Sequence, residues 1–180
     1  MRYLLILLFM AVCTVGECAD INWCLAGTES INITSGSLNG TAASINDDNE
    51  ATQGGGVATG TPTGRLTMTA TVVFDEIADL INKIEYVQIS QAVFPPVTNN
   101  AYRIQLYYNG TWNTIFNATF PQVTKATQSQ NGTWKNVEGI RVEVDIIATA
   151  GFVPANIGVA CYEIRAFGPA NTGNYIISFF

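Results

Sequence analysis

The sequence has 180 residues, of which 12% are charged and 48% hydrophobic, with a formal net charge of −6 and no histidine. Its few lysines and arginines are scattered singly, which argues against nucleic acid or an anionic membrane as a partner. Without histidine the chain has no Ser-His or Cys-His nucleophile and no imidazole zinc site, so we expect it not to be an enzyme.

The first 16 residues have the pattern of a secretory signal peptide. Arg2 precedes an apolar run, Tyr3–Val12, that is too short to span a bilayer, and small residues follow up to Gly16. We therefore expect residues 1–16 to be removed and the mature protein to be secreted and extracellular. The alternative is a buried N-terminal strand. No later segment is long and apolar enough for a transmembrane helix.

Polar, glycine-rich sequence precedes the first clear strand. The run from Gln53 to Arg65 contains five glycines and is expected to be an exposed, mobile connection. Leu66–Phe74 alternates apolar residues with threonines, which predicts a half-buried strand. A short helix is predicted after Asp75, because four apolar residues recur there at helical spacing: Ile77, Leu80, Ile81 and Ile84.

The clearest local structure is a β-hairpin over Tyr102–Phe116. Apolar and polar residues alternate along Tyr102–Tyr108, and the pair Asn109-Gly110 tolerates the positive φ angles of a two-residue turn. Trp112, Thr114 and Phe116 continue the alternation after the turn. A two-stranded hairpin cannot shield its own apolar face, so other strands must form a second layer.

Further strands are predicted at Glu85–Ser90, Val137–Ile147 and Val159–Phe167, and apolar loop tips at Phe94 and Phe152 lie between them. Long helical segments are missing from this pattern. The sequence therefore predicts an all-β domain over residues 17–168, an antiparallel jelly-roll β-sandwich of about eight strands with one short helix.

The last twelve residues, 169–180, form an apolar tail or extra strand. Tyr175–Phe180 is uncharged and has strong strand tendency. We expect this segment either to pair with its own sandwich or to self-associate by adding a strand to a neighbouring molecule.

Five N-x-Ser/Thr sequons follow the leader, which favours a glycosylated surface in a secreted protein. They begin at Asn32, Asn39, Asn109, Asn117 and Asn131. Two cysteines, Cys24 and Cys161, lie near the two ends of the predicted domain. In an oxidising compartment these two are expected to form a disulfide, and the alternative is a pair of free buried thiols.

The order of several segments resembles the galactose-binding-like superfamily, which includes discoidin (coagulation-factor C-type) domains, fucose-binding lectins and related carbohydrate-binding modules. The segments are the acidic loop Asp47–Thr52, a strand ending in Phe-Asp at 74–75, IEYVQI at 84–89, a hairpin with a tryptophan, VEGIRVEV at 137–144 and YEIRAFG at 162–168. Discoidin domains commonly join their two ends by a disulfide, and the resemblance implies Cys24 and Cys161 for that role.

The resemblance also implies a structural calcium ion, which several relatives hold between the acidic loop and a glutamate of the last strand. The corresponding side-chain ligands are Asp47, Asn49, Thr52 and Glu163, and oxygen ligands of these kinds suit a hard cation. The alternative is an Asx-turn loop in water, with Glu163 exposed or in a salt bridge.

The resemblance implies a secreted, non-catalytic module for carbohydrate binding or cell adhesion. Its partner would be a glycan or an extracellular protein surface, bound through loops at one end of the sandwich, with Phe94 and Phe152 as candidate ligand-binding residues. The chain departs from the fucose-binding lectins, which bind sugar with a histidine. The alternative function is a structural subunit of an extracellular filament, coat or matrix that assembles through Tyr175–Phe180.

Overall fold

A computed structural model describes six stretches of the chain, residues 20–35, 37–59, 65–92, 97–119, 125–148 and 156–171. The strands in these stretches are β1 Asp20–Asn22, β2 Thr28–Ser35, β3 Ser37–Gly40, β4 Gly54–Thr59, β5 Arg65–Ala92, β6 Val97–Tyr108, β7 Thr111–Thr119, β8 Ala126–Ala148 and β9 Asn156–Pro169. Two 3-10 turns, Trp23–Ala26 and Ala42–Ile45, follow β1 and β3. None of the described residues forms a helix long and apolar enough to span a membrane.

The predicted hairpin is confirmed as β6 and β7. Tyr108 pairs with Thr111, and the two residues between them, Asn109 and Gly110, have φ angles of 55° and 73°. Both angles lie in the left-handed region that a two-residue hairpin turn requires, and asparagine and glycine are the residues that adopt it most easily.

A bulge in β7 changes which of its residues face the core. Ile104 pairs with Phe116 but Gln105 pairs with Thr114, so Ile115 is an extra residue in the second strand. Such an insertion reverses the alternation of side chains beyond it. Phe116 and Trp112 therefore lie on opposite faces, although the two-residue spacing predicts one face for both.

Strand β5 passes through both layers of the fold. Its 28 residues would extend roughly 90 Å if the strand were straight. Only four residues separate its end at Ala92 from Val97 in β6, a gap of at most about 18 Å. Val97 pairs with Ala148, beside the pair that Arg65 forms with Ile147. Both ends of β5 therefore lie at the same end of the fold, and the strand bends back between them.

The bend lies at Phe74–Ile77. Val73 of β5 pairs with Gly139 of β8 and Ala78 pairs with Val137, so four residues of β5 stand against a single residue of β8. A bulge of this kind allows one strand to turn from one sheet into the other.

The predicted helix after Asp75 is wrong, because Arg65–Ala92 is strand throughout. A second irregularity follows between Ile81 and Lys83. This second irregularity shifts the strand alternation between Ile81 and Ile84, and the fully buried Ala78, Ile81 and Ile84 occur three residues apart. A bulged strand thus produced the spacing that is typical of a helix.

The two halves of β5 belong to different layers. The first layer has the order β2, first half of β5 (65–73), second half of β8 (139–148), β6 and β7. The second has the order β3, β4, β9, second half of β5 (78–92) and first half of β8 (126–137), and β1 pairs with the end of β9. These pairings are antiparallel, and the all-β sandwich that the sequence predicts is confirmed.

Alternating apolar side chains from both layers form the core. On β5, Leu66, Met68, Ala70 and Val72 are fully buried, whereas Val73 is half exposed. The larger fully buried side chains from the other parts of the sheet are Tyr86, Ile104, Leu106, Ile140, Ile146 and Ile164.

The glycine-rich run after Gln53 is partly buried strand instead of the predicted exposed connection. Gly54–Thr59 forms β4, between β3 and β9, and Gly54, Gly55 and Gly56 are buried. A Cβ atom at Gly55 would stand 2.1 Å from the backbone oxygen of Val159, and one at Gly54 would stand 2.4 Å from that of Thr41. Side chains are excluded here because neighbouring backbone occupies their space. Residues 60–64 lie outside the described stretches.

Gly55→Ala is expected to lower the free energy of unfolding by about 1–3 kcal/mol, because the added methyl group must displace the backbone of β9. Urea denaturation followed by tryptophan fluorescence measures the loss. The control is Ser30→Ala, at an exposed position on β2, which should change stability by no more than about 0.5 kcal/mol. Equal stabilities of Gly55→Ala and the wild type would contradict the close approach of β4 to β9.

Candidate functional site

The acidic loop Asp47–Thr52 is held by hydrogen bonds within itself. One carboxylate oxygen of Asp47 accepts from the Asn49 amide (3.0 Å) and the other from the Thr52 hydroxyl (2.7 Å). The side-chain oxygen of Asn49 accepts from the Ala51 amide (3.1 Å). These are the Asx turns that the sequence alternative predicts, and they give the loop a defined shape.

Glu163 lies buried beneath this loop, at a bulge in β9. Val87 pairs with Glu163 and Gln88 with Cys161, so Tyr162 is the extra residue. The Glu163 side chain is fully buried, and its Oε1 accepts from the backbone amide of Asp48 (3.0 Å). Its Oε2 is also buried and has no hydrogen-bond partner among the described residues. An unpaired buried carboxylate oxygen is costly, so this position requires a counterpart or a proton.

Burial raises the pKa of Glu163 to about 7. The hydrogen bond from Asp48 and the positive charge of Arg165 act in the opposite direction, and the negative charges of Asp47 and Asp48 add to the increase. Near neutral pH, Glu163 therefore changes between a neutral acid and a carboxylate.

Arg165 binds the acidic loop to the sheet. Its Nε donates to Asp48 Oδ1 (3.1 Å), its Nη1 donates to Glu50 Oε1 (3.0 Å), and Nη1 lies 3.5 Å from Glu85 Oε2. Its side chain is only 14% exposed, so these ion pairs are shielded from water better than ordinary surface pairs. Lys125 adds a second cation, 2.9 Å from Glu50 Oε2.

The structure brings the four predicted cation ligands into one region. Asp47, Asn49 and Thr52 share the loop, and Glu163 is joined to it through Asp48. The orphaned Oε2 of Glu163 fits a hard cation, which takes carboxylate, amide and carbonyl oxygens. No group of three or more His, Cys, Asp or Glu side chains suited to a metal occurs among the residues described. Any cation here would therefore depend on amide, hydroxyl or backbone oxygens as well.

The predicted disulfide is absent, because Cys24 and Cys161 are both buried free thiols. Burial raises the pKa of each thiol well above its usual range, and the charge of Glu163 raises both further.

The candidate ligand-binding residues Phe94 and Phe152 lie outside the described stretches, but the strand ends beside them are described. The loop with Phe94 joins Ala92 to Val97, and the loop with Phe152 joins Ala148 to Asn156. Val97 pairs with Ala148, and Ala92 pairs with Ile157. The described strand ends on either side of Phe94 and of Phe152 therefore lie at the same end of the sandwich, opposite the bend of β5.

All five sequon asparagines are exposed, on strands or at the hairpin turn. They are Asn32 on β2, Asn39 on β3, Asn109 in the turn, Asn117 on β7 and Asn131 on β8.

The outer face of the first layer carries a network of paired charges. Arg65 makes two hydrogen bonds of 2.8 Å to Asp145, and Arg103 pairs with Glu143. Arg141 donates to Gln105 (2.6 Å) and lies 4.5 Å from the ring centre of Trp112. A groove of about 420 Å³ runs along this face. Because these cations are matched by acids of neighbouring strands, we interpret the face as a solvated, salt-bridged surface.

The sequence analysis missed Arg165 and Lys125 as residues that fix the acidic loop. Arg165 lies opposite Glu85 in the β5–β9 pairing. That complementarity depends on the register of two strands 80 residues apart in sequence, and a single sequence gives no direct signal of it.

Solved carbohydrate-binding modules share this fold. The module CpGH89CBM32-4 of Clostridium perfringens, solved with GlcNAc-α-1,4-galactose, has a TM-score of 0.56 at 14% identity and covers 83% of this chain and 94% of its own. Chitosan-binding module 2 of a Paenibacillus sp. IK-5 chitosanase/glucanase, solved with chitotriose, has a TM-score of 0.53 at 17% identity. The match covers 80% of this chain and 99% of that module. Chitosan-binding module 1 of the same enzyme has a TM-score of 0.52 at 15% identity. The match covers 80% of this chain and 97% of that module.

No protein-family model and no curated protein sequence matches this chain. At identities of 14–17% the structural likeness establishes the fold. The comparisons therefore support the antiparallel β-sandwich fold that the sequence predicts.

Glu163→Gln is expected to stabilise the calcium-free protein above pH 7 by about 1–3 kcal/mol. The folded-state pKa of Glu163 is raised, so its favourable contribution is complete below about pH 4.5 and is lost as the pH rises to about 7. Glutamine stays neutral and avoids that loss. Urea denaturation between pH 4 and 8 in chelator should give a flatter profile for this variant, and Glu29→Gln on β2 is the matched control. A wild-type profile in Glu163→Gln would contradict the burial of this carboxylate.

Proposed function

We propose that this chain is a secreted, glycosylated, non-catalytic module that binds glycans through the loops at one end of its sandwich. The observation that carries the proposal is the likeness in fold to modules solved with GlcNAc-α-1,4-galactose and with chitotriose, over almost their whole length. Both loops with candidate aromatic residues leave the same end of the described sheet. Aromatic side chains there would provide flat apolar surfaces for sugar rings, beside polar loop groups that bond hydroxyls.

The chemistry of the chain supports a binding role over a catalytic one. It has no histidine, and each of its four described arginines forms an ion pair with an acid on a strand face or at the acidic loop. The five exposed sequons and the apolar leader support secretion and glycosylation.

Phe94→Ala and Phe152→Ala are each expected to weaken glycan binding at least tenfold, because each would remove a stacking surface worth about 1.4 kcal/mol or more. A glycan array of the wild type identifies the ligand, and calorimetry with that ligand compares the variants. The matched control is Val73→Ala, a half-exposed apolar residue beside the bend of β5, which should keep wild-type affinity. Absence of binding to any glycan, with calcium present, would contradict the proposed function.

We further propose a structural calcium ion at the acidic loop. Asp47, Asn49, Thr52 and Glu163 would hold it, together with backbone oxygens of the loop. The orphaned Glu163 Oε2 and the surrounding negative charge support this assignment. The ion would supply a fixed positive charge that keeps Glu163 ionised and joins the loop to β9.

Calcium at 100 times its dissociation constant should stabilise the protein by about 2.7 kcal/mol and raise Tm by about 5–10 °C. Asp47→Asn and Glu163→Gln should remove most of this shift, whereas Glu29→Gln should retain it. Thermal unfolding with calcium, with magnesium and with chelator measures the effect. A Tm that calcium does not change, or equal shifts in all variants, would rule out the site.

A further inference from the structure

A groove of about 390 Å³ lies at the end of the sandwich opposite the Phe94 and Phe152 loops, and we name it the terminal groove. The residues that line it include Ile21, Trp23, Ala26, Asp75, Ala170 and Asn171. It adjoins the bend of β5, and Trp23 and Phe74 pack together beside it, with ring centres 6.5 Å apart.

Apolar side chains are exposed around the terminal groove. Ile21, which lines it, is 41% exposed, and Leu25 and Ile77, which adjoin lining residues in sequence, are each 50% exposed. These are three of the five large hydrophobic residues that are exposed in the described stretches. The groove thus has one exposed apolar side chain in its lining and two more one residue away in sequence, which suits an apolar occupant.

Two buried hydrogen-bond donors at the terminal groove also lack acceptors among the described residues. They are the indole Nε1 of Trp23 and the amide Nδ2 of Asn22, and both residues line the groove. A buried donor without a partner costs about 1–3 kcal/mol. Because neither atom has accessible surface, this deficit belongs to the residues that line the groove and does not define what occupies it.

The edge of β5 beside the groove is open as well. Phe74–Ile77 has no register partner in β2, β8 or β9. The side chain of Asn171 occupies part of this edge, since its Nδ2 donates to the Ile77 oxygen (2.8 Å) and its Oδ1 accepts from the Asp79 amide (3.0 Å).

The chain itself is directed into the terminal groove at this point. β9 runs antiparallel to β5 from the pair Ala92–Ile157 to the pair Lys83–Phe167, and Asn171 then contacts Ile77 and Asp79. Continuation in the same direction leads past Glu76 and Asp75, which line the groove. The nine residues that follow in this sequence, TGNYIISFF, are uncharged and mostly apolar, and can reach about 30 Å from Asn171.

We propose that residues 172–180 of the same molecule occupy the terminal groove, with Tyr175–Phe180 covering its exposed apolar side chains. The segment adds backbone beside the open edge of β5. The groove thus removes from solvent an apolar segment that would otherwise be available to the strand edges of other molecules.

Disulfide trapping tests the occupant directly. In a Cys18→Ser background, Ala26→Cys is combined with a cysteine at Ile176, Ile177, Ser178 or Phe179 in turn. Under mild oxidation, at least one of these double-cysteine variants should form an intramolecular cross-link. Its rate should be at least tenfold higher than in the variant that combines the same tail cysteine with Thr127→Cys. Thr127 is exposed on β8 and pairs with Val87, ten residues along β5 from the bend, so it is the matched control.

The cross-linked species distinguish the possible occupants. A monomer whose peptide map joins residue 26 to the tail supports the proposal. A covalent dimer would show that the tail of a second copy fills the groove, and equal rates for Ala26→Cys and Thr127→Cys would show that the tail does not dock. Either of these two results overturns the proposal.

Hydrogen exchange provides a measurement that does not need the cysteine variants. In a chain that ends at Asn171, the indole N–H of Trp23 should exchange at least tenfold faster than in the full chain, because the segment that covers the groove is removed. The indoles of Trp112 and Trp134, on β7 and β8, are the internal controls and should keep their rates. An unchanged Trp23 rate in a folded truncated chain would overturn the proposal.

Discussion

The bend of β5 is the constraint on which the rest of the structure depends. One strand pairs with β2 and β8 in its first half and with β8 and β9 in its second, so a single irregularity at Phe74–Ile77 makes one continuous sheet into two facing layers. The buried alternating residues of both halves then form one core. Phe74–Ile77 has no register partner in β2, β8 or β9, and the terminal groove lies beside this bend.

The two ends of the sandwich consequently have different chemical characters. At one end, neighbouring strand pairs bring together the loops that contain Phe94 and Phe152, and the proposed glycan site lies there. At the other end, exposed apolar side chains and unpartnered donors surround the point where β9 ends. The acidic loop lies over β9 and is tied to it by Glu163 and Arg165. Rigidity at this loop therefore comes from ionic and hydrogen-bond contacts, since it contributes little apolar surface.

Structure was predictable from the sequence where neighbouring residues determine it. It was not predictable where a backbone irregularity or the register of distant strands determines which residues are buried and which are in contact. The Asn109-Gly110 turn was predictable because two adjacent residues determine its φ angles. The region after Asp75 has the apolar spacing of a helix although it is an irregular strand with buried residues three apart. The glycines at 54–56 were assigned to a loop, whereas they allow β4 to approach backbone that lies about 100 residues later in the chain. The resemblance predicted that Glu163 lies near the acidic loop. The contacts of Arg165 with that loop depend on its pairing with Glu85 across two strands, which no local pattern reveals.

The amino-acid sequence by itself determined the all-β class, the central hairpin and the acidic loop, because two-residue periodicity and turn chemistry act over a few neighbouring residues. Only the tertiary structure decided that one strand serves both layers, that Cys24 and Cys161 are buried thiols, and that Glu163 is a buried carboxyl group beneath an Arg-bound loop. Those features depend on which distant segments share a register and which groups lose water together. A periodic pattern specifies the face of a strand, but contact with the rest of the chain specifies its neighbours and the electrostatic environment of its side chains.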